Sequence, residues 1–150
     1  MIVNEIVQEW LDKAEDDFNF ASLSLTQTEY FTHVCFHFQQ AAEKYLKAFI
    51  IANDLQFRAV HNLIELLNIC RTQERRIADL EEACRYLNPI YIDTRYPVNW
   101  PTHYDLETAT QAKNAAEAIR NWVIRFLARP HNPEPECEQT EVSESPPEQG

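Results

Sequence analysis

The sequence predicts an all-α domain, an antiparallel bundle of four long helices and one short helix. Three observations carry this reading. Apolar residues recur at alternating three- and four-residue steps in five separate segments, the spacing that gathers them on one stripe of a helix. No segment shows the period-two alternation of a strand. The only glycine is Gly150, so turns fall to Asn, Asp and Pro, and the Gly-rich phosphate loops of P-loop and Rossmann proteins are excluded.

The first helix carries Val7, Trp10 or Leu11, Ala14, Phe18, Ala21 and Leu25 on its stripe. The second carries Phe31, Cys35, Phe38, Ala42, Tyr45 and Phe49 and ends near Asn53-Asp54. A short third helix presents Leu63, Leu66, Leu67 and Cys70, with Asn62 and Glu65 spaced like a capping box at its start. The fourth shows Ile77, Leu80, Cys84 and Leu87 and extends toward Tyr91, with a kink or restart expected at Asn88-Pro89 because proline has no N–H to donate. The last long helix runs from about Asp105 through Ala109, Ala112, Ala116, Ile119, Val123 and Phe126 and stops before Pro130. Five apolar stripes joined by short connections are buried together most simply in a bundle.

Composition divides the chain into a folded body, residues 1–129, and a tail, residues 130–150. The tail holds Glu134, Glu136, Glu138, Glu141, Glu144 and Glu148, several prolines, and no Lys or Arg. It has too little apolar surface to offset its ordering entropy and is expected to be disordered. Its six glutamates make up more than half of the net charge of −11. An acidic chain is the wrong kind for coating nucleic acid through a general basic surface, so any RNA contact must be local. The body, with 45% hydrophobic and 11% aromatic residues in the whole chain, has enough apolar material for one core. Cys35, Cys70, Cys84 and Cys137 are irregularly spaced without a CxxC pair and read as reduced core or tail residues. The N-terminus lacks the basic and apolar regions of a signal peptide, and no stretch is apolar enough to span a bilayer. A cytoplasmic protein without membrane association, metal or bound cofactor is expected.

Three places bear chemistry. On the second helix, HFQQAAEKYLKAFI, the residues His33, His37, Gln40, Lys44 and Lys47 follow spacings of four, three, four and three. They read as a polar line opposite the apolar stripe, either a solvated face steadied by the i, i+4 pair Glu43 and Lys47 or a surface for a phosphate or acidic helix. His33 and His37 also have the spacing of two metal ligands, without a third in view. Arg58 and His61 stand at the start of the third helix, where an anion is favoured but where a histidine more often satisfies backbone groups of a turn. Residues 91–105, YIDTRYPVNWPTHYD, interleave Tyr91, Tyr96, Trp100 and Tyr104 with Arg95 and His103. Rings with an arginine and an imidazole suit a stacked nucleotide, and equally suit a proline-stiffened connection packed over the end of the bundle.

The segment FQQAAEKYLKAFI at 38–50, followed by HNLIELL at 61–67 and TRYP at 94–97, resembles the HEPN domain family over about residues 5–128. The resemblance implies a compact bundle of four or five helices that forms homodimers, often encoded beside a small nucleotidyltransferase and named for nucleotide binding. It also implies a relation to RNA-cleaving toxins of toxin–antitoxin pairs. Those use an Arg, four to six residues, then a His. Here Arg58 and His61 are separated by two residues and Arg95 and His103 by seven; Arg125 and His131 have five between them but straddle Pro130.

The expectation is therefore a homodimeric nucleotide-binding or interaction module, partner of a minimal nucleotidyltransferase. Arg95 with Lys44 or Lys47 would hold phosphate, and Tyr96, Trp100 and Tyr104 the base. The enzyme-class alternative is a toxin ribonuclease using Arg95 and His103 in a stretched motif, with Tyr104 as the position a partner would modify. A purely structural helix-docking domain is the third reading.

Overall fold

The computed structural model describes residues 4–95 and 104–129, the side chains of 93–95 excepted. Every element in that range is helical: α1 (Glu5–Gln27), α2 (Phe31–Ala52), α3 (Leu63–Arg71), a 3₁₀ helix (Arg75–Leu80), α4 (Glu81–Leu87), α5 (Ile90–Arg95) and α6 (Leu106–Ala128). The predicted all-α bundle is what forms.

Local chemistry sets the boundaries. Asn4 starts α1 by accepting from the Val7 amide at 2.9 Å, and Asp105 starts α6 by accepting from the Thr108 amide at 2.9 Å. Asn62 caps α3 through the Glu65 amide at 2.9 Å, but the box is half closed, because Glu65 turns to Arg58 at 2.8 Å instead of reaching back. In a chain whose single glycine is at the C-terminus, the left-handed turn that ends α2 falls to Asp54, at φ 56°. Aspartate is among the few residues that tolerate this region. Asn53 helps by donating its side-chain amide to the Phe49 carbonyl at 2.8 Å.

The fourth apolar stripe is divided among shorter pieces. Ile77 and Leu80 lie three apart on the 3₁₀ helix, where that spacing is eclipsed, and both are buried. The chain passes directly into α4 with Cys84 and Leu87, then breaks at Asn88-Pro89 and restarts as α5. The break has a use: Asn88 Oδ1 accepts from the Leu63 amide at 2.7 Å, satisfying one of the orphan donors at the start of α3.

Pairings fix the topology. Phe18 against Phe38 and Trp10 near Lys47 make α1 and α2 an antiparallel hairpin. Tyr86 donates to the Thr108 carbonyl, which runs α4 against α6. Phe49 meets Trp122 and Phe126, which sets α6 alongside α2. α2 is the central helix and packs on α1, α3, α4, α5 and α6.

That centrality corrects one expectation. The polar line of α2 is wet only in part: His33 is exposed, His37, Gln40 and Lys44 are half-buried, and Lys47 with its partner Glu43 is enclosed, at 5% and 4% exposure. From Ala41 to Ile50 every position but Lys44 is buried, so this half of the helix is enclosed, and its polar groups must find partners inside. Cys35, Cys70 and Cys84 are free and buried, as the sequence leads one to expect. Burial pushes the Cys35 and Cys84 thiols up to about 12. Cys137 and the whole segment 130–150 lie outside the described residues, as does the connection 96–103. No described helix is long and apolar enough to cross a membrane.

Candidate functional site

The polar residues of α2 divide between clusters on different neighbours. Toward α1, Asp17 accepts from Lys44 Nζ at 2.5 Å and faces His37 Nδ1 at 3.1 Å. Burial alone would raise the Asp17 carboxyl, but hydrogen bonds from His37 and Lys44 outweigh it, and the acid is held below the ordinary aspartate value. A depressed folded value means a stabilisation fully present above the unfolded pKa and lost as pH falls through the folded one. Asp17→Asn is therefore expected to lower stability by about 1–3 kcal/mol at neutral pH. The gap to the parent should begin to narrow in urea titrations as pH falls below about 3.9, the ordinary value, and go on narrowing at lower pH; a gap that stays constant on further acidification would contradict the ion-pair account.

Deeper between the same helices, Tyr45 donates to Glu15 at 2.6 Å, and Arg120 of α6 donates to both oxygens of that carboxylate at 2.7 and 3.2 Å. Burial, then the bond to Glu15, drives the Tyr45 hydroxyl strongly up, so it remains a neutral donor. This set ties three helices together and reads as structural.

The remaining cluster has the form of a site. Glu43, buried on α2, accepts from Lys47 Nζ at 2.8 Å and lies 3.1 Å through each of its oxygens from His61 Nδ1. A carboxylate only accepts, so Nδ1 carries the proton of that contact and Nε2 is the nitrogen left for another group. The Lys47 ammonium sits 5.8 Å from the Trp10 ring centre and 5.7 Å from that of Phe57, a lining that favours a cation. The His61 ring lies flat on Tyr91 of α5, with centroids 4.2 Å apart and planes 15° from parallel. Tyr91 in turn leans on Phe36 of α2 at 6.4 Å. A cavity of about 260 Å³ opens beside the pair, bounded by Asn62, Asn88, Pro89 and Ile92. The His61 side chain is 48% exposed while Glu43 is closed off. A buried carboxylate thus orients an imidazole whose outer edge faces a cleft, as binding or proton transfer to a ligand requires.

Of the residues singled out in sequence, Lys47 is in this cluster but enclosed and paired with Glu43, and Lys44 is turned to Asp17. Arg95 ends α5, one helical turn beyond Tyr91. Tyr96, Trp100 and His103 lie outside the described residues. Tyr104 packs, partly buried, against the core just before α6. His33 rests beside the Tyr30 ring and lines one cavity with His37, which is engaged by Asp17. Arg58 is joined to Glu65 on the exposed side of α3.

Sequence alone gives His61 as a turn residue and Glu43 as half of a surface ion pair, and does not bring them together. The available signal is the HN step before α3 together with the one acid of α2, flanked by Ala41, Ala42 and Leu46.

A family model described as HEPN domain matches residues 7–127. Among solved structures, TT1696 from Thermus thermophilus superposes with a TM-score of 0.72 at 31% identity, covering 79% of this chain and 96% of that one. ST0689, an archaeal HEPN homologue, superposes with a TM-score of 0.65 at 25% identity, covering 81% of this chain and 97% of that one. No curated protein matches the sequence.

Proposed function

The chain belongs to the HEPN domain family, and from that premise we propose that it is a homodimeric nucleotide-binding module working beside a small nucleotidyltransferase in a toxin–antitoxin-type pair. The nucleotide is taken where α5 leads into the connection 96–103. The observation that carries this reading is the flat His61–Tyr91 stack, anchored from below by buried Glu43 and open to a cleft. A base adds to such a stack without demanding a particular sequence of donors and acceptors. Arg95, one turn on from Tyr91, supplies charge for phosphate, and Tyr96, Trp100 and Tyr104 supply further rings. Lys44 and Lys47 act indirectly, since each already neutralises a carboxylate.

Calorimetry of the purified protein with ATP should register binding. Arg95→Ala and His61→Ala should each weaken it at least tenfold, corresponding to about 1.4 kcal/mol. Absence of heat with every common nucleotide at high protein concentration would remove the proposal. Cleavage of RNA by the same preparation would favour the second reading, a ribonuclease built on Arg95 and His103. The Glu43–His61 pair gives that reading one added support, because a carboxylate-held imidazole suits acid–base work.

A further inference from the structure

Five of the nine arginines, Arg71, Arg75, Arg76, Arg125 and Arg129, gather at the end of the molecule where the 3₁₀ helix meets the end of α6. Such a concentration runs against a net charge of −11 and calls for a counterpart. Part of it is local: Arg71 reaches Glu81 at 2.7 Å and Arg76 reaches Glu74 at 2.9 Å, with Asp79 nearby. Arg75 and Arg125, both exposed, have no ion-pair partner among the described residues. Beside Arg125 opens a cleft of about 340 Å³ walled by Trp122 and Phe126. Those two rings stack at 5.3 Å with planes 7° apart, and the Arg129 guanidinium lies 4.4 Å from the centre of Phe126.

We propose that this arginine and ring cleft is the docking surface for the chain's own acidic segment beyond Arg129. The segment follows Arg129, itself in the wall of the cleft, and repeats proline and glutamate, Pro133-Glu134-Pro135-Glu136, before Glu138 and Glu141. Prolines suit the ring wall, and carboxylates suit the guanidinium groups. The nine residues to Glu138 span roughly 30 Å when extended, enough to cross the cleft. Tethering sets an effective concentration in the millimolar range, so the segment outcompetes dilute polyanions for this surface.

Cys137 provides the test within the chain as it stands. The other three thiols are buried, so a nitroxide reagent marks this position first. With the label oxidised, amide signals of residues 75–78 should fall to below half of their intensity with the label reduced. They should recover in about 1 M salt, where the screening length is near 3 Å. The same loss should vanish in the full chain carrying Glu134→Gln, Glu136→Gln, Glu138→Gln and Glu141→Gln. Full intensity at 75–78 in the parent would overturn the proposal, and so would broadening that survives both salt and the glutamine changes. Broadening seen only when labelled and observed chains are different molecules would assign the contact to a second copy and overturn docking within one chain. None of these outcomes bears on nucleotide binding at His61 and Tyr91.

Discussion

Replacing Glu43 by alanine is expected to remove about 3–5 kcal/mol of stability, the loss typical when one partner of a buried ion pair is deleted. The side chains of Glu43 and Lys47 are 5% and 6% exposed, so the lysine left behind can neither reach water nor find another carboxylate within its cluster. For a chain of 150 residues this corresponds to a fall in Tm on the order of 10 °C. The decisive comparison is the double variant Glu43→Leu with Lys47→Met, which removes both charges at nearly constant volume and should recover most of the loss. If Glu43→Ala lowers stability by less than about 1 kcal/mol in denaturant titrations, the carboxylate is not the buried anchor described here. His61→Ala serves as the control, since its side chain is 48% exposed and its removal should cost under about 1 kcal/mol while abolishing the stack on Tyr91. A charged pair stands where an apolar one would hold at least as well, which is consistent with Glu43 serving to orient His61.

Why the core is legible in the sequence and the site only partly so follows from the range of the interactions. Each helix declares itself by spacing: Leu63, Leu66, Leu67 and Cys70, or Ala109, Ala112, Ala116, Ile119 and Val123, form stripes in the sequence and are all buried. Caps at Asn62 and Asp105 are local chemistry and are visible for that reason. The fate of α2 is not local. Its second apolar flank, Val34, Ala41 and Ala48, indicates enclosure only once the other α-helices are known to pack around α2. Glu43 meets Lys47 four residues away, a pair evident in sequence, but His61 is eighteen residues away and Tyr91 lies on a different helix. The split of the fourth helix shows the same limit. Asn88-Pro89 announces its break, whereas a 3₁₀ turn over 75–80 has no signature distinct from an α-helix when Ile77 and Leu80 are three apart.

Phe38→Ala should be as damaging as Glu43→Ala, at about 3–5 kcal/mol, because it opens a cavity at the middle of the helix on which every other α-helix packs. Phe38 is 0% exposed and meets Phe18 edge-on with centroids 5.6 Å apart, so an aromatic contact worth about 0.5–1.5 kcal/mol is lost along with the burial. Phe20, two residues along α1 from Phe18 and 52% exposed, offers the contrast: Phe20→Ala should change stability by no more than about 0.5 kcal/mol in the same denaturant titration. Similar losses at both positions would mean that the α1–α2 seam is not the interior. The contrast also governs how the site must be probed. Since α2 carries the core on one side and Glu43 on another, any large change along it alters folding and binding together. Variants at His61, Tyr91 and Arg95, which sit on or beyond the elements laid over α2, are the ones whose effect on a ligand can be read without that ambiguity.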